Sequence, residues 1–133
     1  MKRHYPKKTV IIEKFIPGSK EVSVGVVNKR GRGWPLSPVI RNRALFSSKN
    51  ISDLSIPAKV VGKVQTWARR LHEALGCRGV TKTDFLIDRE NEAWAIETDA
   101  IPGLSQNNAV AIGAKKSGIS YRDLINLIIK DVR

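Results

Sequence analysis

The chain has 133 residues, and its 24 Lys and Arg side chains against 12 Asp and Glu give a formal net charge of +12. This length suits one domain spanning residues 1–133, with residues 1–8 as a flexible tail, and 41% hydrophobic residues supply a core, which excludes wholesale disorder. No apolar run approaches the roughly 20 residues of a membrane-spanning helix, and no signal-peptide pattern opens the chain. The single cysteine, Cys77, excludes an intrachain disulfide and a cysteine-based zinc site. We therefore expect a cytoplasmic protein that does not enter a membrane.

The first part of the chain predicts short strands. Residues 9–16 and 21–27 are rich in β-branched side chains and flank a Pro-Gly-Ser turn, a pattern typical of a hairpin. Residues 28–38 are rich in glycine, proline and arginine, which indicates a loop, and residues 39–46 predict a further short strand.

The rest of the chain predicts three helices and a second hairpin. Apolar side chains recur every three or four residues in the helical segments, and alternating or continuous apolar runs mark the strands around a polar loop. The predicted elements are a helix at 57–76, strands at 80–87 and 92–98, a helix at 108–117 and a last helix from Ser120 onward. This order predicts an α+β fold in which a mainly antiparallel sheet carries its helices on one face.

Four charged side chains of the second hairpin, Lys82, Asp84, Glu97 and Asp99, are spaced to share one face. If the polar loop between its strands closes the hairpin, Lys82 pairs with Glu97 and Asp84 pairs with Ala95. Residues two apart on a strand share a face, so one side of the sheet carries all four charged side chains: Lys82, Asp84, Glu97 and Asp99. Clustered carboxylate oxygens are ligands that Mg²⁺ prefers, so the spacing indicates a divalent-metal site. The alternative is a solvated strand face with Lys82 and Glu97 as a surface ion pair.

Several motifs fall in the order typical of one enzyme family. They are residues 10–18 and 21–25 near the start, 56–58 before the first helix, 75–88 and 95–105 on the second hairpin and after it, and 117–121 before the last helix. Together they resemble the C-terminal part of the D-alanine–D-alanine ligases of the ATP-grasp superfamily. The resemblance covers nearly the whole chain and is weakest over residues 28–55.

The resemblance implies ATP as co-substrate and two Mg²⁺ ions, with Mn²⁺ as a substitute. Asp84, Glu97 and Asp99 stand where the family holds these ions with an Asp, a Glu and an Asn, and an Asp in the third place keeps an oxygen ligand. The implied nucleotide contacts are Glu13 and Ile16 at the adenine edge, Glu21 at the ribose, Ile96 beneath the base and Lys49 at the phosphates.

The family's chemistry implies roles for one loop and one lysine. Similar enzymes join a carboxylate to an amine through an acyl phosphate. Lys82 stands where the family carries an arginine, and Gly103 stands where a backbone amide approaches the reacting group. The residues implied at the amino-acid substrate are Ser105, Asn107 and Asn108, in a loop that departs from the family's pattern and so leaves the specificity for D-alanine open.

The chain resembles only one of the two lobes that enclose the family's nucleotide. We therefore expect a partner chain or a longer product to supply the N-terminal lobe, with ATP and a small amino-acid-like carboxylate as ligands. One alternative is a non-catalytic remnant of the ATP-grasp fold. The net positive charge leaves another open, a module that binds nucleic acid or another polyanion, although no row of aromatic side chains favours base stacking.

Overall fold

The computed structural model describes residues 9–41 and 56–132. Within these ranges the chain forms an antiparallel sheet and three helices. In chain order the elements are β1 (Lys20–Lys29), β2 (Arg32–Pro35), β3 (Val39–Arg41), α1 (Ala58–Ala74), β4 (Val80–Ile87), β5 (Ala93–Asp99), α2 (Ala109–Lys116) and α3 (Tyr121–Val132). The later elements lie close to their predicted positions, and the main differences from the sequence-based prediction are in the first part of the chain.

Strand β1 is the centre of the sheet. It pairs with β4 along one edge, while β3 and β2 share its other edge. The predicted strand at residues 9–16 does not form, and the first predicted hairpin is therefore wrong. The reason is competition for edges: both edges of β1 are taken by strands from later in the chain, so the preceding segment has no partner.

A tight hairpin replaces the loop predicted at residues 28–38. Lys29 pairs with Arg32, and the two residues between them, Arg30 and Gly31, both have positive φ angles of 54° and 76°. This is the backbone geometry of the two-residue turns that match the twist of antiparallel strands. Of the short strand predicted at 39–46, residues 39–41 form β3 and the rest lies outside the described residues.

Helix α1 ends as its sequence predicts. Gly76 follows the last turn with a φ of 62°, and its N–H donates to the carbonyl of Glu73. The N–H of Cys77 donates to the carbonyl of His72, which completes a Schellman motif. Helix α3 begins with a side-chain cap, since Ser120 Oγ accepts the N–H of Asp123 at 3.1 Å and donates to its carboxylate.

The α+β class and the antiparallel sheet are confirmed, but the helices lie on both faces of the sheet. On one face, α1 buries apolar side chains against alternate residues of β1 and β4, including Val24 and Phe85. On the other face, α2 and α3 pack around Val27 and Val80, at one end of the same two strands. The prediction of one helical face is wrong because β1 has six consecutive apolar or small residues, 22–27, and all six are buried, so helices cover both faces of this strand.

A buried polar network joins α1, α3 and the strands β1 and β4. His72 is 1% exposed, and its Nδ1 lies 2.9 Å from the hydroxyl of Thr81 while its Nε2 lies 3.0 Å from Oδ1 of Asn28. The amide of Asn28 donates to Asp131, whose carboxylate also accepts the N–H of Gly79 at 2.6 Å. The network ties α1 and α3 to the sheet.

Among residues 9–41 and 56–132, no helix has the length and apolar character needed to cross a bilayer.

Candidate functional site

The charged residues of the second hairpin share one face of the sheet, as the spacing predicts, but in a different register. Asp84 lies opposite Glu97 and Lys82 lies opposite Asp99, whereas the prediction paired Asp84 with Ala95. Two local features cause the difference. Asp88 and Glu92 close the turn one position later than expected, and Ile96 is an extra residue in β5 that forms a bulge.

The net shift of two residues leaves the facing of the charged side chains unchanged. The later turn alone would shift β5 by one residue and move Glu97 and Asp99 to the other face of the sheet. The bulge adds a second shift of one residue, which returns both side chains to the predicted face. The bulge therefore brings Glu97 and Asp99 to the same side as Asp84. This face is also the one that α2 and α3 cover further along β1 and β4.

Asp84 is the buried member of the group, with 6% of its surface exposed. The hydroxyl of Ser23, on the neighbouring strand β1, donates to Oδ1 at 2.7 Å. The ammonium of Lys82, two residues back on β4, donates to Oδ2 at 2.7 Å. Both carboxylate oxygens thus have a protein partner, one of which carries a positive charge.

Glu97 and Asp99 are more accessible than Asp84. Glu97 is exposed, and Asp99 is half-buried with Oδ1 accepting the N–H of Ile101 at 2.9 Å. In the part of the chain that the structure describes, no group of three or more His, Cys, Asp or Glu side chains is arranged to hold a metal ion. The three acids therefore share a face without converging on one point, and the metal assignment stays a prediction.

The residues predicted around the adenine lie beside this face. Glu21, on β1, is two residues from Ser23 and so faces the same side as Asp84. Glu13 is exposed and Ile16 is buried in the segment before β1, and Ile96 is 54% exposed at the bulge. The predicted phosphate contact, Lys49, lies outside the described residues.

A cation–π contact holds the segment before β1 near the second hairpin. Lys14 Nζ lies 5.0 Å from the ring centroid of Trp94, whose indole N–H donates to Asp88 at 2.8 Å. That hydrogen bond lowers the pKa of the Asp88 carboxyl, and two backbone N–H groups at the turn lower it further. The contact brings Glu13 and Ile16 toward the strand that carries Ile96.

The predicted substrate residues lie in the loop between β5 and α2. Ser105, Asn107 and Asn108 are exposed, and the N–H of Asn108 donates to the carbonyl of Ser105 at 2.9 Å. Gly103 lies against the amide of Asn108, since a Cβ at Gly103 would come within 2.5 Å of Asn108 Nδ2. Gly103 is exposed to solvent despite this contact, and its loop begins directly after Asp99.

A sequence model of the family described as "D-ala D-ala ligase C-terminus" matches residues 3–130. The chain belongs to this family. Among curated relatives, the D-alanine–D-alanine ligase of Carboxydothermus hydrogenoformans is 30% identical over 132 residues, covering 92% of this chain and 42% of the relative. The ligase of Flavobacterium johnsoniae is 32% identical and covers 91% of this chain and 40% of the relative. The chain thus spans about two fifths of the length of these relatives.

Solved structures of D-alanine–D-alanine ligases have the same fold. The enzyme from Coxiella burnetii aligns with a TM-score of 0.75 at 18% identity, covering 84% of this chain and 31% of that one. The Bacillus anthracis enzyme, whose structure is a complex with ATP, aligns with a TM-score of 0.73 at 24% identity, covering 90% of this chain and 39% of that one. These alignments agree with the observed antiparallel α+β architecture.

Two contacts of this D-ala D-ala ligase C-terminal domain were not predicted from the sequence. Ser23 was not among the predicted site residues, yet its hydroxyl donates to Asp84. Lys82 was expected opposite Glu97, yet its ion pair is with Asp84 on its own strand. The one signal available for the first contact was a hydroxyl in the middle of a run of buried valines.

Proposed function

We propose that this chain is the C-terminal ATP- and Mg²⁺-binding lobe of an ATP-dependent carboxylate–amine ligase of the D-alanine–D-alanine ligase type. The observation that carries the proposal is the hairpin of β4 and β5, which presents Asp84, Glu97 and Asp99 on one face next to the loop that holds Gly103. Because the chain belongs to the D-ala D-ala ligase C-terminal family, we assign the ligase reaction to this arrangement.

The proposed reaction has two steps. An oxygen of the substrate carboxylate attacks the γ-phosphorus of ATP, the bond to the bridging oxygen breaks, and ADP leaves, which gives an acyl phosphate. The amine nitrogen of the second substrate then attacks the acyl carbon, loses a proton, and expels inorganic phosphate as the amide forms. The protein's task is to position the reactants and balance charge, since phosphoryl transfer needs little covalent help.

The carboxylates of the face are the right chemical kind for a divalent cation. Hard oxygen ligands with phosphates and water completing the shell suit Mg²⁺, and Asp84, Glu97 and Asp99 would hold it. When bound, Mg²⁺ neutralises charge on the phosphates. The proposal includes two Mg²⁺ ions, for which Mn²⁺ can substitute.

The remaining residues would bind and orient the substrates. Glu13, Ile16, Glu21 and Ile96 would contact the nucleoside, and Lys49 would contact its phosphates. Lys82 supplies positive charge near the transferred group, as a point charge without the two-pronged geometry of arginine. The backbone N–H at Gly103 would donate to the oxyanion, and the last part of the proposed site, the amino-acid contacts, is Ser105, Asn107 and Asn108.

A second lobe would complete the site. The chain spans about 40% of its curated relatives, and large apolar side chains such as Ile11, Ile12 and Phe15 are exposed beside the proposed nucleotide face. An open half-site cannot exclude water from an acyl phosphate. We therefore assign the missing contacts to a partner chain or to the remainder of a longer product, with a small amino-acid-like carboxylate as substrate.

Calorimetric titration with a non-hydrolysable ATP analogue, with and without Mg²⁺, tests the proposal. The wild-type chain should bind in a Mg²⁺-dependent manner, and Glu97→Gln should weaken binding by about tenfold or more, because it removes one charged ligand. Glu90→Gln is the matched control, since it removes the same charge from the exposed turn of the same hairpin. Equal effects of the two substitutions would contradict the proposal.

A polyanion-binding remnant is the second candidate, favoured by the net charge of +12 and by the occupied carboxylate of Asp84. It predicts a different result in the same titration. Binding would be independent of Mg²⁺ and of Glu97, and would fall steeply with salt as counterion release loses its driving force.

A further inference from the structure

The ion pair between Lys82 and Asp84 is buried within the proposed metal face. The side chains are 14% and 8% exposed, and the ammonium lies 2.7 Å from Oδ2. Since Ser23 donates to Oδ1, no oxygen of Asp84 lacks a partner. We infer that Lys82 is a built-in cation at Asp84, which a divalent metal ion must displace before this carboxylate can act as its ligand.

The displacement follows from size and charge. Mg²⁺ takes oxygen ligands at about 2.0–2.1 Å and Mn²⁺ has a similar preference for carboxylate oxygens. An ammonium within hydrogen-bond distance of the same oxygen would then face a doubly charged cation across a short gap, and like charges at that separation repel strongly in a partly buried site. Lys82 and the metal ion therefore compete for Oδ2.

The nucleotide phosphates give the displaced ammonium a new partner. Asp99 lies directly opposite Lys82 across the β4–β5 pair, but it is itself one of the proposed metal ligands and would be engaged by the ion. The long flexible side chain of Lys82 can exchange Asp84 for a phosphate without leaving the face.

The consequence is that free divalent metal binds weakly and enters together with the nucleotide. The phosphates bring negative charge that satisfies both the metal and the released ammonium. This inference rests on the divalent-metal part of the proposed function, because it assigns a role to Lys82 toward that ion.

Titration of the chain with Mn²⁺ alone, with free Mn²⁺ followed by electron paramagnetic resonance, tests the inference. Lys82→Met should tighten Mn²⁺ binding by about tenfold or more, since it removes the competing charge and keeps the apolar stem. Lys82→Arg keeps the charge and should remain as weak as the wild type. Lys63→Met is the matched control, because Lys63 pairs with Glu92 away from the face. Unchanged or weaker binding in Lys82→Met overturns the inference.

A measurement on the wild-type chain covers the case in which Lys82→Met does not fold, because it leaves Asp84 buried without its cation. Saturating Mn²⁺ should raise the rate of amine labelling at Lys82, measured by mass spectrometry, while Lys63 serves as the internal reference. No change at Lys82 under saturation overturns the inference. That result leaves the proposed function standing if the ATP analogue still binds with Mg²⁺, so the two failures are distinguishable.

Discussion

Ser23 fixes the orientation of the carboxylate on which the proposed site depends. Its hydroxyl is 1% exposed and donates to Asp84 from a neighbouring strand, 61 residues earlier in the chain. Ser23→Ala leaves a buried charged oxygen without this donor, and we expect it to lower the free energy of unfolding by about 1–3 kcal/mol.

Urea denaturation of Ser23→Ala checks this expectation, with Thr66→Ala as the control because that hydroxyl is exposed on α1. The control should be neutral or slightly stabilising, since alanine favours the helix. A Ser23→Ala variant as stable as the wild type would show that the hydrogen bond contributes nothing to folding.

His72 makes the stability of the fold depend on pH. Burial lowers the pKa of His72 from 6.5, and the negative charges of Asp131 and Glu73 oppose that shift without cancelling it. In the pH range between the lowered value and 6.5, the unfolded chain binds more protons than the folded chain. Stability contributed by neutral His72 is therefore complete above about pH 7 and is lost as the pH falls through this range.

Chemical denaturation between about pH 7.5 and pH 5.5 checks this dependence. The free energy of unfolding should fall with acidification in the wild type, and His72→Gln should have a flatter profile because glutamine does not titrate. Asp131 does not confuse the result, because its pKa is lowered from 3.8 by the N–H of Gly79 and its own contribution is lost only at more acid pH. Parallel profiles for the two proteins would contradict the role given to His72.

At the scale of the elements, the turn between β1 and β2 requires a left-handed backbone conformation at Gly31 but no packing space there. Gly31 has a φ of 76°, and a Cβ placed there would meet no atom within 4 Å. Gly31→Ala should therefore cost about 1 kcal/mol through strain in the left-handed region and nothing through packing. Gly62 offers the matched substitution, since it also faces open space but lies inside α1.

The two glycine variants should shift stability in opposite directions. Gly62→Ala should stabilise the chain by about 0.5–1 kcal/mol, because alanine loses less entropy than glycine on entering a helix. Thermal melting of the two variants against the wild type is the measurement. A loss of stability in both would mean that packing, and not backbone conformation, decides the effect at these positions.

The elements that the sequence predicts well are those whose pattern is local. The helix from Pro57 to Gly76 has both an apolar stripe and a glycine stop, and the hairpin at 80–98 has two apolar runs around a polar turn. The strand predicted at 9–16 has the same local character, yet it fails because β2 and β3 occupy the edge it would need. Competition between strands is a property of the whole sheet that no window of the sequence contains.

The candidate site shows the same division. That Asp84, Glu97 and Asp99 share a face follows from alternation along a strand, and the resemblance to the ligases supplies their proposed roles. The bulge at Ile96 and the hydrogen bond from Ser23 do not follow, since each depends on contacts between separate strands. The pairing of Lys82 with Asp84 was missed for a simpler reason: the assumed register offered Glu97 as the nearer acid.

At the scale of the whole molecule, a net charge of +12 makes repulsion between surface charges the dominant long-range term. Surface ion pairs such as Lys63 with Glu92 and Arg69 with Glu73 act in the opposite direction, but exposed pairs contribute little. Salt screens both the repulsion and the ion pairs. Because the repulsion is the larger of the two, screening should stabilise the fold. Raising NaCl from about 20 to about 300 mM should therefore raise the melting temperature by about 2–6 °C.

Melting in NaCl and in sucrose of equal osmolality separates screening from a general solute effect. NaCl, but not sucrose, should raise the melting temperature at low concentration. Most of the rise should be complete near 0.1 M NaCl, where the screening length falls to about 10 Å. A melting temperature that falls with NaCl would mean that attractive pairs outweigh the excess of positive charge, and the basic surface would then be internally compensated and not available to a polyanion.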